Sequence, residues 1–211
     1  MPRYKDSESE QAATDTRQKL LFSAAEEFAR QGYNAANINH ISQAAGYAKG
    51  TIYNYFSSKE ALLLELVETV AADHIAFIAA AVSNVPSPQD RLYHFFQAGF
   101  AYVEAHPYPM QVIVHTLYGA DEAHKAHLAQ VYQPLFAVMM NNILEPGMQD
   151  GSFRRMDVDR TATFLLTTYL GVSIPQDTDG RIFFDPQMIT NLLLHGLQAG
   201  HAENNKVEKP L

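Results

Sequence analysis

Lys49, Thr51, Tyr53, Asn54 and Tyr55 crowd into one short segment, and Lys59 follows after a polar break. Their chemistry is that of hydrogen bonding to a polyanion. A lysine ammonium reaches a phosphate or the edge of a guanine, an asparagine amide addresses an adenine or a phosphate, and phenolic hydroxyls suit phosphate oxygens. Ile52 and Phe56 are interleaved with them, so the same stretch also has an inward side. The chain shows no nucleophile with a base at useful spacing, no glycine-rich loop after a strand, and no carboxylate pair set against an apolar wall. Without cysteine it has neither disulfides nor thiolate chemistry. The expectation is a binding protein that is not an enzyme.

Helical periodicity supplies the frame for these residues. A first helix fits 16–31, with Leu20, Leu21, Ala24, Ala25 and Phe28 on one stripe and Gly32 as its stop. Asn37 can cap a short second helix carrying Ile38, Ile41 and Ala45, closed by Gly46. A third fits 48–55. Ser57 with Glu60 then forms a capping box for a fourth helix that runs to about 82. Helices two and three, joined around Gly46, make a helix-turn-helix, in which the second helix can lie in a major groove.

Further helices fit 88–105, 108–118, about 122–145 with a bend at Pro134, 157–173 and 186–200; "EPGMQDGSF" reads as a turn. The fold class is all-α: a three-helix head with the helix-turn-helix, then a larger bundle. Charge follows the same division. Residues 16–60 hold five cations against three anions, a net of +2, whereas 61–205 hold six against fifteen, a net of −9. The overall charge of −8 therefore conceals a mildly basic front. No apolar run approaches a membrane span and the N-terminus lacks a signal core, so a cytoplasmic protein without a membrane partner is expected.

Residues 16–68 closely resemble the N-terminal domain of the TetR family of bacterial transcriptional regulators. The resemblance rests on the arginine in the first turn, Ala24/Ala25 with Phe28, Gly32, Ile41, Ala45-Gly46, Lys49-Gly50-Thr51, Tyr53-x-Tyr55-Phe56, and Ser58-Lys59-Glu60 before a leucine run. It implies recognition-helix contacts to DNA from Lys49, Thr51, Tyr53, Asn54 and Tyr55. Asn37, Asn39 and His40 would face DNA from the start of helix two, Lys59 would meet a phosphate, and Arg17 would steady the N-terminal end. Tyr47 and Ala48 depart from the family pattern of a small aliphatic residue followed by Ser or Thr. Ala48 offers no side-chain cap, and Tyr47 either packs on helix one or reaches DNA.

The chain ends read as flexible tails at 1–15 and 203–211, and the resemblance implies a DNA-binding domain at 16–60 and an effector-binding and dimerisation domain at 61–202. Its last two long helices would form a homodimer, and the operator would be a palindromic duplex released by a small-molecule effector. The alternative is a helical scaffold or small-molecule-binding protein without specific DNA binding. Phe96, Phe100, Tyr102, Met110, His115, Tyr118, Phe136, Met139, Met140 and Phe164, with Tyr132 and Tyr169, supply a Met and aromatic set that suits an apolar or aromatic effector or a bundle core. His124 and His127 with Asp121 have a spacing that can gather three metal-capable groups, but they read as an exposed, unrelated cluster; His195 reads as an interface histidine. No metal or cofactor is expected.

Overall fold

The computed structural model describes residues 3–174 and 181–197, with side chains described for 11–174 and 181–195. Among the described residues every regular element is helical. The order is α1 (Arg3–Ala35), α2 (Ile38–Ala44), a 3-10 turn (Thr51–Asn54), α3 (Lys59–Ser83), α4 (Pro88–Ala105), α5 (Pro107–Leu117) and α6 (Glu122–Val131). Then come α7 (Gln133–Ala137), a π-helical segment (Val138–Leu144), α8 (Glu145–Gln149), α9 (Val158–Val172) and α10 (Pro186–Leu197). None of these helices is long and apolar enough to cross a membrane. The expected tail at 203–211 and the end of the last helix lie outside the described residues.

Five local expectations change. Residues 3–15 are helical, where a tail was expected. That stretch has no Gly or Pro and contains Glu8, Gln11, Ala12 and Ala13, so a helix nucleated on the apolar stripe propagates back through it. Gly32 breaks the helical geometry with φ 73°, and one further turn follows before α1 ends at Ala35. The third helix shrinks to the 3-10 turn, because Gly50 at φ 85° places a left-handed residue where an α-helix from 48 would have to pass. The cap of α3 is Ser58, whose hydroxyl accepts from the Ala61 N–H; Glu60 thereby falls one position short of a capping box but still lies in the positive first turn.

The fifth change lies between 122 and 150. The bend expected at Pro134 is present at Tyr132, the junction of α6 and α7. The chain then runs on as a π-helix and α8 to Gln149, so "EPGMQ" is helix and the turn starts at Asp150. Pro146 brings no N–H to this continuous run, and the carbonyl four residues earlier, Asn142 O, accepts from Arg91 Nη1 at 2.8 Å.

Two buried clusters fill the molecule. The first joins α1, α2 and the 3-10 turn to the start of α3 and continues through Tyr102, Met110, Ile113 and Leu128. The second gathers Ile78, Phe95, Phe96, Met139, Leu165 and Tyr169. Apolar packing therefore crosses residue 60 without interruption, and α3 serves both sides. Exposed apolar side chains concentrate on the last two helices and the segment before α10: Phe164, Phe183, Met188 and Leu192.

Gly147 carries a packing constraint. A Cβ there would overlap the ring of Phe153, which is 2% exposed and folds back over α8. Gly147→Ala should lower the unfolding free energy by about 1–3 kcal/mol through overpacking. Urea denaturation would check this; an unchanged midpoint would mean that Phe153 has room to move.

Candidate nucleic-acid interface and effector cavity

The front face is built from backbone constraints. Asn37 caps α2 by accepting the Asn39 N–H at 2.9 Å. At the other end Gly46, with φ 85°, closes a Schellman motif: Tyr47 N–H donates to Ser42 O at 2.9 Å and Gly46 N–H to Gln43 O at 3.0 Å. Ser42 is fully buried, and its hydroxyl donates to Ala48 O at 2.8 Å. Ala48 O also accepts the Thr51 N–H at 3.1 Å, so a side chain from α2 and the 3-10 turn meet on one carbonyl. The missing side-chain cap at Ala48 is offset by this backbone arrangement.

Ile52 and Phe56 are buried, and Tyr55 packs against the same core. Tyr53 points outward, 56% exposed, beside exposed Lys49 and Asn54 and half-buried Thr51. Asn39 and His40 are exposed on the first turn of α2. Tyr47 settles its alternative: it packs on the core and its hydroxyl donates to Thr16 Oγ1 of α1 at 3.1 Å.

Two residues expected to contact DNA have partners within the chain. The Arg17 guanidinium forms a two-pronged ion pair with Glu65, donates to Tyr55 O at 3.2 Å, and lies over the Phe56 ring. Lys59 Nζ donates to Asn34 O at 3.0 Å and Ala36 O at 2.9 Å and lies over the Tyr33 ring. The carbonyls at the end of α1 need donors, and Lys59 supplies them. These two cations tie α1 to α3.

The histidines of α6 are not the exposed cluster that their spacing suggested. His124 is 9% exposed, stacks edge-on to Tyr33, and lies 3.7 Å from Asp121 and 3.9 Å from Glu60. His127 Nε2 instead approaches Glu68 at 3.1 Å. Asp121 is occupied as the N-cap of α6, accepting the His124 N–H. Among the described residues no group of three metal-capable side chains converges. His195 is exposed, with its ring hydrogen-bonded to Asn191 O in its own helix.

A partly enclosed cavity of about 250 Å³ lies in the body. It is bounded by His74 of α3, Met110, Ile113 and Leu117 of α5, Leu128 of α6, Tyr132, Phe136 of α7, and Leu166, Tyr169 and Leu170 of α9. Met110, Phe136, Tyr132 and Tyr169 thus converge as the sequence suggested. Phe96, Phe100, Tyr102 and Met139 are buried core outside its wall, whereas Tyr118 and Phe164 are exposed. Met140 joins Phe136 in an outer groove. His115 borders a wider, more open cleft of about 630 Å³ between the end of α1 and α5. The smaller cavity is the more enclosed and the more uniformly apolar, which favours it as a ligand site.

Sequence inspection missed its polar centre. His74 is fully buried, with Nε2 2.8 Å from Tyr169 Oη and Nδ1 3.2 Å from Tyr132 Oη. Its ring stacks on Tyr102, which stacks in turn on His106. Burial, reinforced by the nearby His106, lowers the His74 pKa to about 4, so the imidazole is neutral at pH 7. Burial raises Tyr102 to about 12, with a smaller contribution from Asp73, and pushes Tyr132 and Tyr169 well upward. Gly99 makes room for this arrangement, since a Cβ there would overlap the Tyr169 ring and hydroxyl. The signal was the helical stripe itself: Val70, Ala71 and Ile78 bracket His74 at inward spacing.

Residues 20–66 match the family described as bacterial regulatory proteins, tetR family. The HTH-type transcriptional repressor KstR2 of Mycobacterium tuberculosis strain H37Rv is 32% identical over 168 residues, covering 74% of this chain and 79% of that relative. The chain belongs to the tetR family. It is accordingly a helix-turn-helix DNA-binding transcriptional regulator. Solved structures agree in fold. A tetR-family regulatory protein from Rhodococcus RHA1 has a TM-score of 0.73 at 22% identity, covering 88% of this chain and 98% of that one. FadR of Bacillus subtilis in complex with stearoyl-CoA has a TM-score of 0.72 at 20% identity, covering 87% and 98%.

Two tests concern the regulator's internal polar contacts. Arg17→Ala and Glu65→Ala should each destabilise the fold, and the double variant should reveal a coupling of about 1 kcal/mol, toward the upper end for a partly exposed, two-pronged pair. Urea midpoints would measure it, and zero coupling would free Arg17 for another role. The second test follows from the neutral His74. Its folded pKa lies below that of the unfolded chain, so stability is fully present above about pH 6.5 and falls as pH drops toward 4, where the loss levels off. That contribution is about 3 kcal/mol. His74→Gln should flatten the pH dependence of the urea midpoint by roughly this amount, whatever its effect at pH 7.

Proposed function

We propose that the chain is a dimeric repressor that binds a palindromic operator and is released by a small, mainly apolar effector. The observation that carries the DNA-binding part is the outward trio Lys49, Tyr53 and Asn54 on a turn held by Ile52, Phe56 and the Ser42–Ala48 hydrogen bond. In this proposal residues 16–60 form the DNA-binding head and 61–202 form the effector and dimerisation body. Lys49 and Tyr53 meet phosphates, Asn54 and Thr51 approach base edges, and Asn39 and His40 lie along the neighbouring backbone. Asn37 contributes by capping α2, and Tyr55 by holding the turn to the core. The exposed apolar face of α9 and α10, with Phe164, Met188 and Leu192, supports a second copy as its cover.

The cavity around His74 is the proposed effector site. The FadR structure contains stearoyl-CoA. Here the cavity wall contains no Lys or Arg, so the phosphates of such a thioester would have to lie outside it. An effector lowers operator affinity only if it prefers the spacing of the two heads that does not fit DNA.

Titration against a library of genomic duplexes at several salt concentrations tests the proposal. The expected result is one palindromic site whose affinity falls as salt rises, with a slope set by the few outward cations of each head. Lys49→Ala should weaken all duplexes alike and reduce the magnitude of the salt slope by about one unit, whereas Asn54→Ala should cost about 1–3 kcal/mol of discrimination at one base pair. Binding that ignores both salt and sequence would sink the repressor assignment in favour of a helical scaffold.

A further inference from the structure

Besides Thr167, the cavity wall has one cluster of hydrogen-bonding groups, and its proton count is uneven. A neutral imidazole brings one N–H and two phenols bring two O–H groups, so His74, Tyr132 and Tyr169 hold three protons between them. Two hydrogen bonds join the three rings and use one proton each. One phenolic hydrogen remains unused by the cluster whichever nitrogen is protonated.

The distances indicate which phenol holds it. Hydroxyl donors sit at about 2.7–2.8 Å from their acceptors and N–H donors at about 2.9–3.0 Å. The 2.8 Å separation between Tyr169 Oη and His74 Nε2 fits an O–H donating to nitrogen. The 3.2 Å separation between His74 Nδ1 and Tyr132 Oη fits an N–H donating to oxygen. Tyr132 then accepts from His74 and keeps its own hydrogen. Its hydroxyl has no other hydrogen-bond partner among the described residues, and its ring borders the cavity.

Charge on a ligand has no counterpart there. Neither Lys, Arg, Asp nor Glu lines the wall, and burial keeps His74 neutral and the phenols protonated. A carboxylate or ammonium group would lose its hydration without a charged partner. The volume of about 250 Å³ falls below the common range of about 300–1,000 Å³ for drug-sized ligands, which points to a small molecule.

We infer that this cavity selects a small, uncharged, mainly apolar compound bearing a hydrogen-bond acceptor, such as a ketone or ester carbonyl, to which Tyr132 Oη donates. This rests on the proposal that the cavity is the effector site. His74 is a positioning residue in this scheme: it holds Tyr132 Oη in place through Nδ1 and is itself fixed by Tyr169.

Acetophenone, isopropylbenzene and benzoate have nearly one shape and differ in the group that would meet Tyr132. Isothermal titration calorimetry of the full chain should give acetophenone an affinity about five- to tenfold above isopropylbenzene, with benzoate not binding measurably. Tyr132→Phe should reduce acetophenone to the affinity of the hydrocarbon and leave isopropylbenzene unchanged, which also shows that the cavity is intact. Equal binding of ketone and hydrocarbon by the unaltered chain, or a preference for benzoate, would overturn the inference while leaving the cavity as a ligand site. If neither neutral compound binds, the inference and the proposed effector cavity both fail. The ranking on the unaltered chain decides the matter even if the variant does not fold.

Discussion

The buried stripe of α3 holds the rest together. Leu62, Leu63, Leu66, Val67 and Val70 belong to the cluster that seats the helix-turn-helix, and Ile78 and Val82 belong to the cluster of the body. A helix places residues three and four apart on one face, so a single uninterrupted stripe serves both. His74 is its buried polar member, set between the two groups. At the other end of the helix, Lys59 holds the last carbonyls of α1, and Glu65 in the second turn holds Arg17. A ligand beside His74 therefore acts on the same rigid element that carries the head. Such a connection transmits an effect only where the ligand binds two head positions with different affinity.

The head reaches its shape through backbone conformation more than through side-chain recognition. Two glycines at φ 85° bracket the Tyr47–Ala48–Lys49 segment. The first ends α2 and the second starts the 3-10 turn. Between them Ser42 and Tyr47 fasten the loop to α2 and α1. With only one turn available, Ile52 and Phe56 take the inward positions and force Tyr53 and Asn54 outward. The short turn thus exposes by geometry what a full α-helix would have distributed around its cylinder.

Much of this architecture was legible because periodicity and caps are local. Pro88 in the first turn and His106-Pro107 at the end bound α4 from sequence, and Asn37 and Gly46 bound α2. The third helix was not legible: the residues of 48–55 tolerate an α-helix apart from Gly50, and only the tertiary demand to bury Ile52 and Phe56 makes the left-handed conformation decisive. The internal partners of Lys59 and Arg17 were hidden for a related reason. A cation beside aromatic and polar neighbours suits a phosphate as well as a carbonyl or Glu65, and sequence separation conceals which is nearer. His74 escaped notice although its spacing was plain, because a single histidine on an apolar stripe reads as ordinary core. The partners that make it notable, Tyr132 and Tyr169, lie 58 and 95 residues away.

Pairing Arg17 and Lys59 within the chain alters the electrostatics of the front face. Residues 16–60 contain five cations, but Arg17 is paired with Glu65, Lys59 with backbone carbonyls, and Arg30 with Glu26 and Tyr108. Lys19 and Lys49 remain exposed. Each phosphate neutralised contributes about 0.9 to the salt slope, so a head with so few outward cations draws little affinity from counterion release. Hydroxyl and amide donors, the N-terminus of α2 and the fit of two linked heads to two half-sites must then carry a larger share. The net charge of −9 over residues 61–205 disfavours contact of the body with DNA. Weak attraction in general, combined with geometric demands in particular, favours a protein that leaves non-specific DNA readily and responds to small changes in the spacing of its heads.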